Sequence, residues 1–166
     1  MAAQYEMRLS KEDFKFSAAH FTVFSPSTAE VLHGHNYRVR VEIIGPATDE
    51  LGLLMDLRQV KADIRGICAR LDSKTLVPVA CSEVGVEQSD GQVQVRFGER
   101  SYELPIESVV LLPLRNTSIE ELALYVWQEL APGLADSGAT RLGVVVEETR
   151  GQGCLYSAEL EKASKS

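Results

Sequence analysis

The stretch LHGHNYRVRVEI, residues 32–43, decides how this chain folds. Tyr37, Val39, Val41 and Ile43 alternate with Arg38, Arg40 and Glu42, the two-residue period of a strand with one buried and one wet face. Gly45-Pro46 ends the run. Upstream, Phe14, Phe16, Ala18 and His20 hold one parity, which predicts a second strand. The chain has three histidines, His20, His33 and His35, all in this region. On an extended backbone, His33 and His35 project from the same face, roughly 7 Å apart along the strand. Gly34 between them is expected to let the backbone bend and to keep the opposite face open. If the two strands pair across residues 21–32, His20 approaches the same point. Three imidazoles with one position left open form the donor set of a catalytic zinc, whereas a closed structural site wants another ligand, usually a thiolate. No cysteine lies nearby in sequence. Imidazole also suits iron and other ions, so the donor set alone leaves the metal open.

Outward from this segment, Asp56 precedes Leu57, Val60, Ile64, Ile67, Cys68 and Leu71, whose three- and four-residue steps predict a capped helix with Cys68 as a buried thiol. Residues 92–104 read as a hairpin turning near Gly98. A second helix is expected to start near Asn116-Thr117-Ser118, where Ser118 with Glu121, and Thr117 with Glu120, match capping boxes. Its apolar face continues through Leu122, Tyr125, Val126 and Leu130, and Pro132-Gly133 ends it. Residues 141–148 and 154–160 read as two closing strands. The order β-β-α-(hairpin)-α-β-β implies an α+β fold, with helices on one face of an antiparallel sheet.

The 166 residues suit one domain, 1–166, and 45% apolar content suffices for a core. A net charge of −7 and a pI near 5.0 argue against nucleic acid or an anionic membrane as partner. No apolar run approaches the roughly 18 residues of a membrane span. The start, MAAQYEMRLSKEDF, lacks the apolar stretch of a secretory signal. Cys68, Cys81 and Cys154 are too widely spaced for a disulfide framework or a CxxC knuckle. A cytoplasmic location is expected.

The segments FKFSAAH (14–20) and LHGHNYRVRVEI (32–43) resemble the two zinc-ligand motifs of the 6-pyruvoyltetrahydropterin synthase and 6-carboxytetrahydropterin synthase family. The likeness continues through GLLMDLRQVK (52–61), LDSKTL (71–76), LLPLRNTSIEELALYVWQEL (111–130) and VVVEET (144–149). Residues of about 77–110 look like an inserted hairpin relative to short family members. The resemblance implies the tunnelling fold, in which sheets of several subunits, as a hexamer or similar homo-oligomer, join into a barrel with active sites between subunits. It implies Zn2+ on His20, His33 and His35. It also implies that Glu148 grips the pterin's amide and amino edge, and that Thr117, Ser118 and Glu120 line the same pocket.

Two positions depart from the family pattern. The cysteine usual before HGH is absent from SPSTAEVLHGHNY, and Glu30 stands three residues before the motif. That resembles members that cleave the side chain of 7,8-dihydroneopterin triphosphate to give 6-hydroxymethyl-dihydropterin, a folate precursor. A carboxylate serves as base there if burial or a neighbour raises its pKa toward neutrality. The usual Asp-His pair before lysine is Asp72-Ser73-Lys74, so the general-acid histidine is missing and Asp72 is the remaining catalytic candidate beside Glu30. Lys15, Arg38 and Lys74 are candidates for the triphosphate by position. The alternatives are the 6-carboxytetrahydropterin synthase reaction of queuosine biosynthesis, 6-pyruvoyltetrahydropterin synthesis, or an altered paralogue that binds zinc and pterin without turnover.

Overall fold

The computed structural model describes residues 3–161. Its centre is the strand read first from sequence. Strand β5 (His33–Gly45) carries Tyr37, Val39, Val41 and Ile43 buried on one face, and Asn36, Arg38 and Arg40 exposed on the other. Earlier come β1 (Tyr5–Leu9), β2 (Lys15–His20) and the short pair β3 (Val23–Ser25) and β4 (Thr28–Ala29). β5 is long enough to serve two partners on one edge. Its first half pairs antiparallel with β2, placing His20 opposite His33, and its second half pairs with β1.

Helix α1 (Leu57–Leu71) starts at Asp56, whose carboxylate accepts the Arg58 amide at 2.8 Å, as its spacing predicted. Helix α2 (Ile119–Leu130) starts at Ser118, but the capping box is only half made. Ser118 accepts from the Glu121 amide, whereas the Glu121 carboxylate turns to the Arg115 amide and guanidinium. Strands β11 (Arg141–Thr149) and β12 (Gln152–Glu159) close the chain. Both helices pack on the face of β5 that bears Tyr37 and Val39, and Ile64, Leu71, Leu122 and Val126 fill the core with Leu142 and Val144.

The frame β2-β5-β11-β12 is antiparallel, as expected. Two strands absent from the expected order extend it: β6 (Lys74–Pro78) and β10 (Val109–Leu112). β6 runs parallel to β2, and β10 parallel to β6, giving the sheet order β10-β6-β2-β5-β11-β12. Such short apolar runs, KTLVP and VVLL, carry too little periodicity to be assigned from sequence.

Residues 77–110 hold more than the expected hairpin. They include a three-stranded antiparallel sheet of β7 (Gly85–Ser89), β8 (Gln92–Phe97) and β9 (Arg100–Pro105). The turn at Gly98 is present, with Gly98 at φ +57°. A second turn, Asp90-Gly91, has both residues at positive φ, the dihedral signature of a tight hairpin turn. This Asp-Gly dipeptide was the available signal for β7. This sheet has its own core, in which Val93, Val95 and Phe97 meet Phe21 and Val77.

Candidate active site

His20, His33 and His35 come together, and their ligand atoms all lie within 4.8 Å of one another. The ladder explains this. His20 and His33 are direct cross-strand partners, His35 is two residues further along β5, and all three share the face that carries Tyr37. Ring centroids are 4.7 to 5.4 Å apart. Gly34 pairs with Ala19 without a register shift, so no bend is involved; a Cβ there would only touch the Ala18 carbonyl oxygen at 3.4 Å.

Two of the imidazoles are oriented by backbone carbonyls. His20 Nδ1 lies 2.9 Å from the Thr117 carbonyl and His33 Nδ1 2.8 Å from that of Val31. A carbonyl only accepts, so both Nδ1 atoms carry a proton and Nε2 is the nitrogen each ring offers as a ligand, the arrangement seen around metal-ligating histidines. His20 is 1% exposed, and its Nε2 has no hydrogen-bond donor. It faces Glu148 Oε1 at 3.1 Å, and the same oxygen is 3.5 Å from His35 Nε2. Lone pair against lone pair in a buried place is unfavourable unless a cation or proton lies between them. The donor set therefore fits a metal ion held by His20, His33 and His35. Burial pushes the His20 pKa down, against the opposing pull of Thr117 and Glu148, which keeps the ring in the neutral, ligating form.

Glu148 continues the buried parity of Leu142, Val144 and Val146 on β11, at a bulge where the pairing with β12 shifts register. Tyr37 Oη donates to Glu148 Oε1 at 3.3 Å, and Gln152 Nε2 donates to Oε2 at 3.2 Å. Burial, then Glu148, drives the Tyr37 phenol up, so it stays a donor at any ordinary pH. The carboxylate is thus held with both oxygens oriented beside the imidazoles.

Thr117 is fully buried, and its hydroxyl donates to the Phe21 carbonyl at 2.9 Å. It fixes the residue after His20 and aims its own carbonyl at His20, rather than capping α2. Ser118 is the cap. Glu120 is exposed in the first turn of α2, and its charge is felt at Cys154 on β12. Asn116, read from sequence only as part of the helix start, bonds both the amide and the carbonyl of Val23 through its side chain, tying the start of α2 to the segment after His20.

Glu30 sits in the loop between the paired strands. Its carboxylate accepts the Thr22 amide at 2.9 Å, and its own amide donates to the Thr22 carbonyl. Burial pushes its pKa up, but the bonds to Thr22 outweigh this and hold it below the usual glutamate value, with the imidazole cluster of His33 and His20 acting in the same direction. The expected rise toward neutrality is not what the surroundings produce, because an N–H donated to the carboxylate favours the ionised form.

Asp72 stands apart from this group within the chain. It is the C-cap of α1, and its carboxylate accepts the Ser17 amide at 2.7 Å. Ser17 is three residues from His20 along β2, roughly 10 Å at strand spacing. Ser73, at φ +60°, donates its amide to the Ser17 carbonyl. Lys15 and Arg38 are cross-strand partners on the face of the sheet opposite the histidines, and Lys74 reaches the Glu107 carbonyl.

The family model described as 6-pyruvoyl tetrahydropterin synthase matches residues 8–159. The chain belongs to the 6-pyruvoyl tetrahydropterin synthase family. A Methanocaldococcus jannaschii protein, provisionally named 6-carboxy-5,6,7,8-tetrahydropterin synthase, is 33% identical over 89% of this chain and 91% of its own length. A Pyrococcus abyssi protein with the same provisional name is 30% identical over 70% of this chain and 69% of its own. The crystal structure of 6-pyruvoyl tetrahydropterin synthase from Plasmodium vivax superposes with a TM-score of 0.88 at 24% identity, covering 95% of this chain and 99% of that one. Two further structures of that enzyme replace a glutamate, described as a catalytic residue, by alanine or cysteine. Family membership makes this chain a tetrahydropterin synthase-type enzyme, a lyase acting in pterin chemistry. No helix among the described residues is long and apolar enough to cross a membrane.

Proposed function

We propose that this member of the family is a zinc-dependent lyase on 7,8-dihydroneopterin triphosphate, or a close relative, giving 6-hydroxymethyl-dihydropterin. The observation that carries the reading is the convergence of three imidazoles in a chain whose preceding loop offers Glu30 and no cysteine. His20, His33 and His35 would hold the zinc, which supplies Lewis acidity that lowers the pKa of a side-chain hydroxyl of the substrate. Glu148, oriented by Tyr37 and Gln152, accepts the paired N–H donors of the pterin's flat edge, a bidentate contact with a charged acceptor. Thr117 and Ser118 border the pocket through the His20 contact and the start of α2, with Glu120 further out. Glu30, ionised at neutral pH, takes the proton from the side-chain hydroxyl one carbon beyond the bond that breaks; that oxygen becomes the carbonyl of the departing aldehyde triphosphate, and Glu30 returns the proton to the carbon left on the ring. A glutamate described as catalytic in a protein of this fold is consistent with that role. Asp72 acts through Ser17 and the end of α1 in this reading, not at the substrate. The active unit is a homo-oligomer with sites between subunits, and basic groups of a neighbouring copy supply what Lys15 and Arg38, on the opposite face, do not.

A second reading, 6-carboxytetrahydropterin synthase, is favoured by the names of the Methanocaldococcus and Pyrococcus relatives. One experiment separates them. Zinc-loaded protein is incubated with dihydroneopterin triphosphate and the product identified by mass. Release of 6-hydroxymethyl-dihydropterin supports the first reading, and a 6-carboxy product supports the second. Pterin binding without turnover would overturn both.

A further inference from the structure

We propose that the inserted sheet carries a positioning residue for Glu30, and that this residue is Arg100. The inference rests on the reading of Glu30 as the proton-transferring group. Arg100 opens β9 immediately after the Gly98-Glu99 turn, with its guanidinium over the Phe97 ring at 5.5 Å. From there it donates to two successive carbonyls, Glu30 at 2.5 Å through Nη1 and Ala29 at 2.8 Å through Nη2. Successive carbonyls of a strand point to opposite sides, so one fork serving both requires the chain to have turned where β4 ends. The planar guanidinium, with its donors in a fixed fork, holds that turn in one geometry, which a single ammonium does not. Tyr102, two residues along β9, accepts the Leu32 amide at 3.3 Å, and its ring lies 6.3 Å from that of Phe21. Phe21 directly follows His20, and Leu32 directly precedes His33. The insert therefore grips the loop at three places: after one imidazole, at the carboxylate-bearing residue, and before the next imidazole. The Glu30 side chain is then left one local anchor, the Thr22 amide, at 2.9 Å.

A purely structural contact would also be lost on substitution, so the test reads chemistry and local order together. Three variants are compared with wild type on dihydroneopterin triphosphate: Arg100→Met, Arg100→Lys and Glu30→Gln, with the double variant Glu30→Gln/Arg100→Met. Arg96→Met, on the exposed side of β8, serves as control. The expected result is a kcat loss of about ten- to hundredfold for Arg100→Met with KM and zinc content unchanged, the scale at which a displaced catalytic group is felt. Arg100→Lys recovers part of the loss. The double variant is no slower than Glu30→Gln alone, because both changes remove one function. Hydrogen exchange at the Glu30 and Leu32 amides quickens in Arg100→Met, while exchange at Val41 and Ile43 stays as in wild type. Wild-type kcat for Arg100→Met alongside an inactive Glu30→Gln overturns the clamp alone. Losses that multiply in the double variant overturn it equally. Full turnover by Glu30→Gln overturns the Glu30 reading, and the positioning role falls with it.

Discussion

At the residue scale, the site is a set of lone pairs waiting for positive charge. His20 and His33 have their Nδ1 protons committed to backbone carbonyls, and Glu148 Oε1 stands in front of the free nitrogens of His20 and His35. Among the described residues, Tyr37 is the one neutral donor to that oxygen. Replacing Tyr37 by Phe removes a single hydrogen bond, so pterin affinity is expected to weaken by about 0.5–1.5 kcal/mol, measured by titration calorimetry, with metal content unchanged. Cys68 shows the opposite use of burial. Burial, assisted by Asp13 and Asp72, pushes its thiol up to about 11. The folded protein therefore holds this proton more tightly than the unfolded chain, whose thiol titrates near ~8.5. The resulting stability is fully present below the unfolded value and is lost as pH rises through the folded one. The unfolding free energy from denaturant titrations should fall by about 3 kcal/mol more in wild type than in Cys68→Ala across that alkaline window. Native Cys68 should also resist alkylation at neutral pH.

At the element scale, one long strand organises the molecule. β5 has β11 along one edge and β2 followed by β1 along the other, and so brings His20 against His33 while its far end packs beneath the segment that leads into α1. The far end is tight. A Cβ on Gly45 would lie 2.3 Å from Leu54 Cδ1 and 2.7 Å from the Gly138 carbonyl oxygen. Leu54 can swing but the Gly138 backbone cannot, so Gly45→Ala is expected to cost about 1–3 kcal/mol in a urea titration, with the histidine end and its metal binding unaffected. The helices contribute differently at their starts. Asp56 caps α1 with its own side chain, whereas the start of α2 is built by Ser118, Asn116 and the redirected Glu121 together. The α2 arrangement costs a regular capping box, but it brings the Thr117 carbonyl to His20.

At the scale of the whole molecule, a bound metal and the fold stabilise each other, because the three imidazoles meet only when β2 and β5 are paired. Stripping the ion with a chelator should lower stability by about 2.7 kcal/mol when compared with protein holding free metal at a hundredfold excess over its dissociation constant. For a chain of this size that corresponds to a fall in melting temperature of roughly 5–10 °C by calorimetry. His35→Ala should abolish most of that difference, since the remaining pair of imidazoles binds far more weakly.

What the sequence determined by itself was everything carried by local periodicity and spacing. The alternation in residues 37–43, the parity of His20, His33 and His35, the Asp56 cap and the closing strands are all short-range patterns, and each is realised where its spacing placed it. The tertiary structure alone decided what depends on contacts far apart along the chain. The parallel strands β6 and β10 exist because β2 offers an edge. Asp72 is drawn to Ser17, 55 residues away, rather than to the histidines. Arg100 reaches the Glu30 loop across 70 residues. No local pattern encodes such pairings, because their free energy comes from donors and acceptors that meet only after the chain has closed on itself.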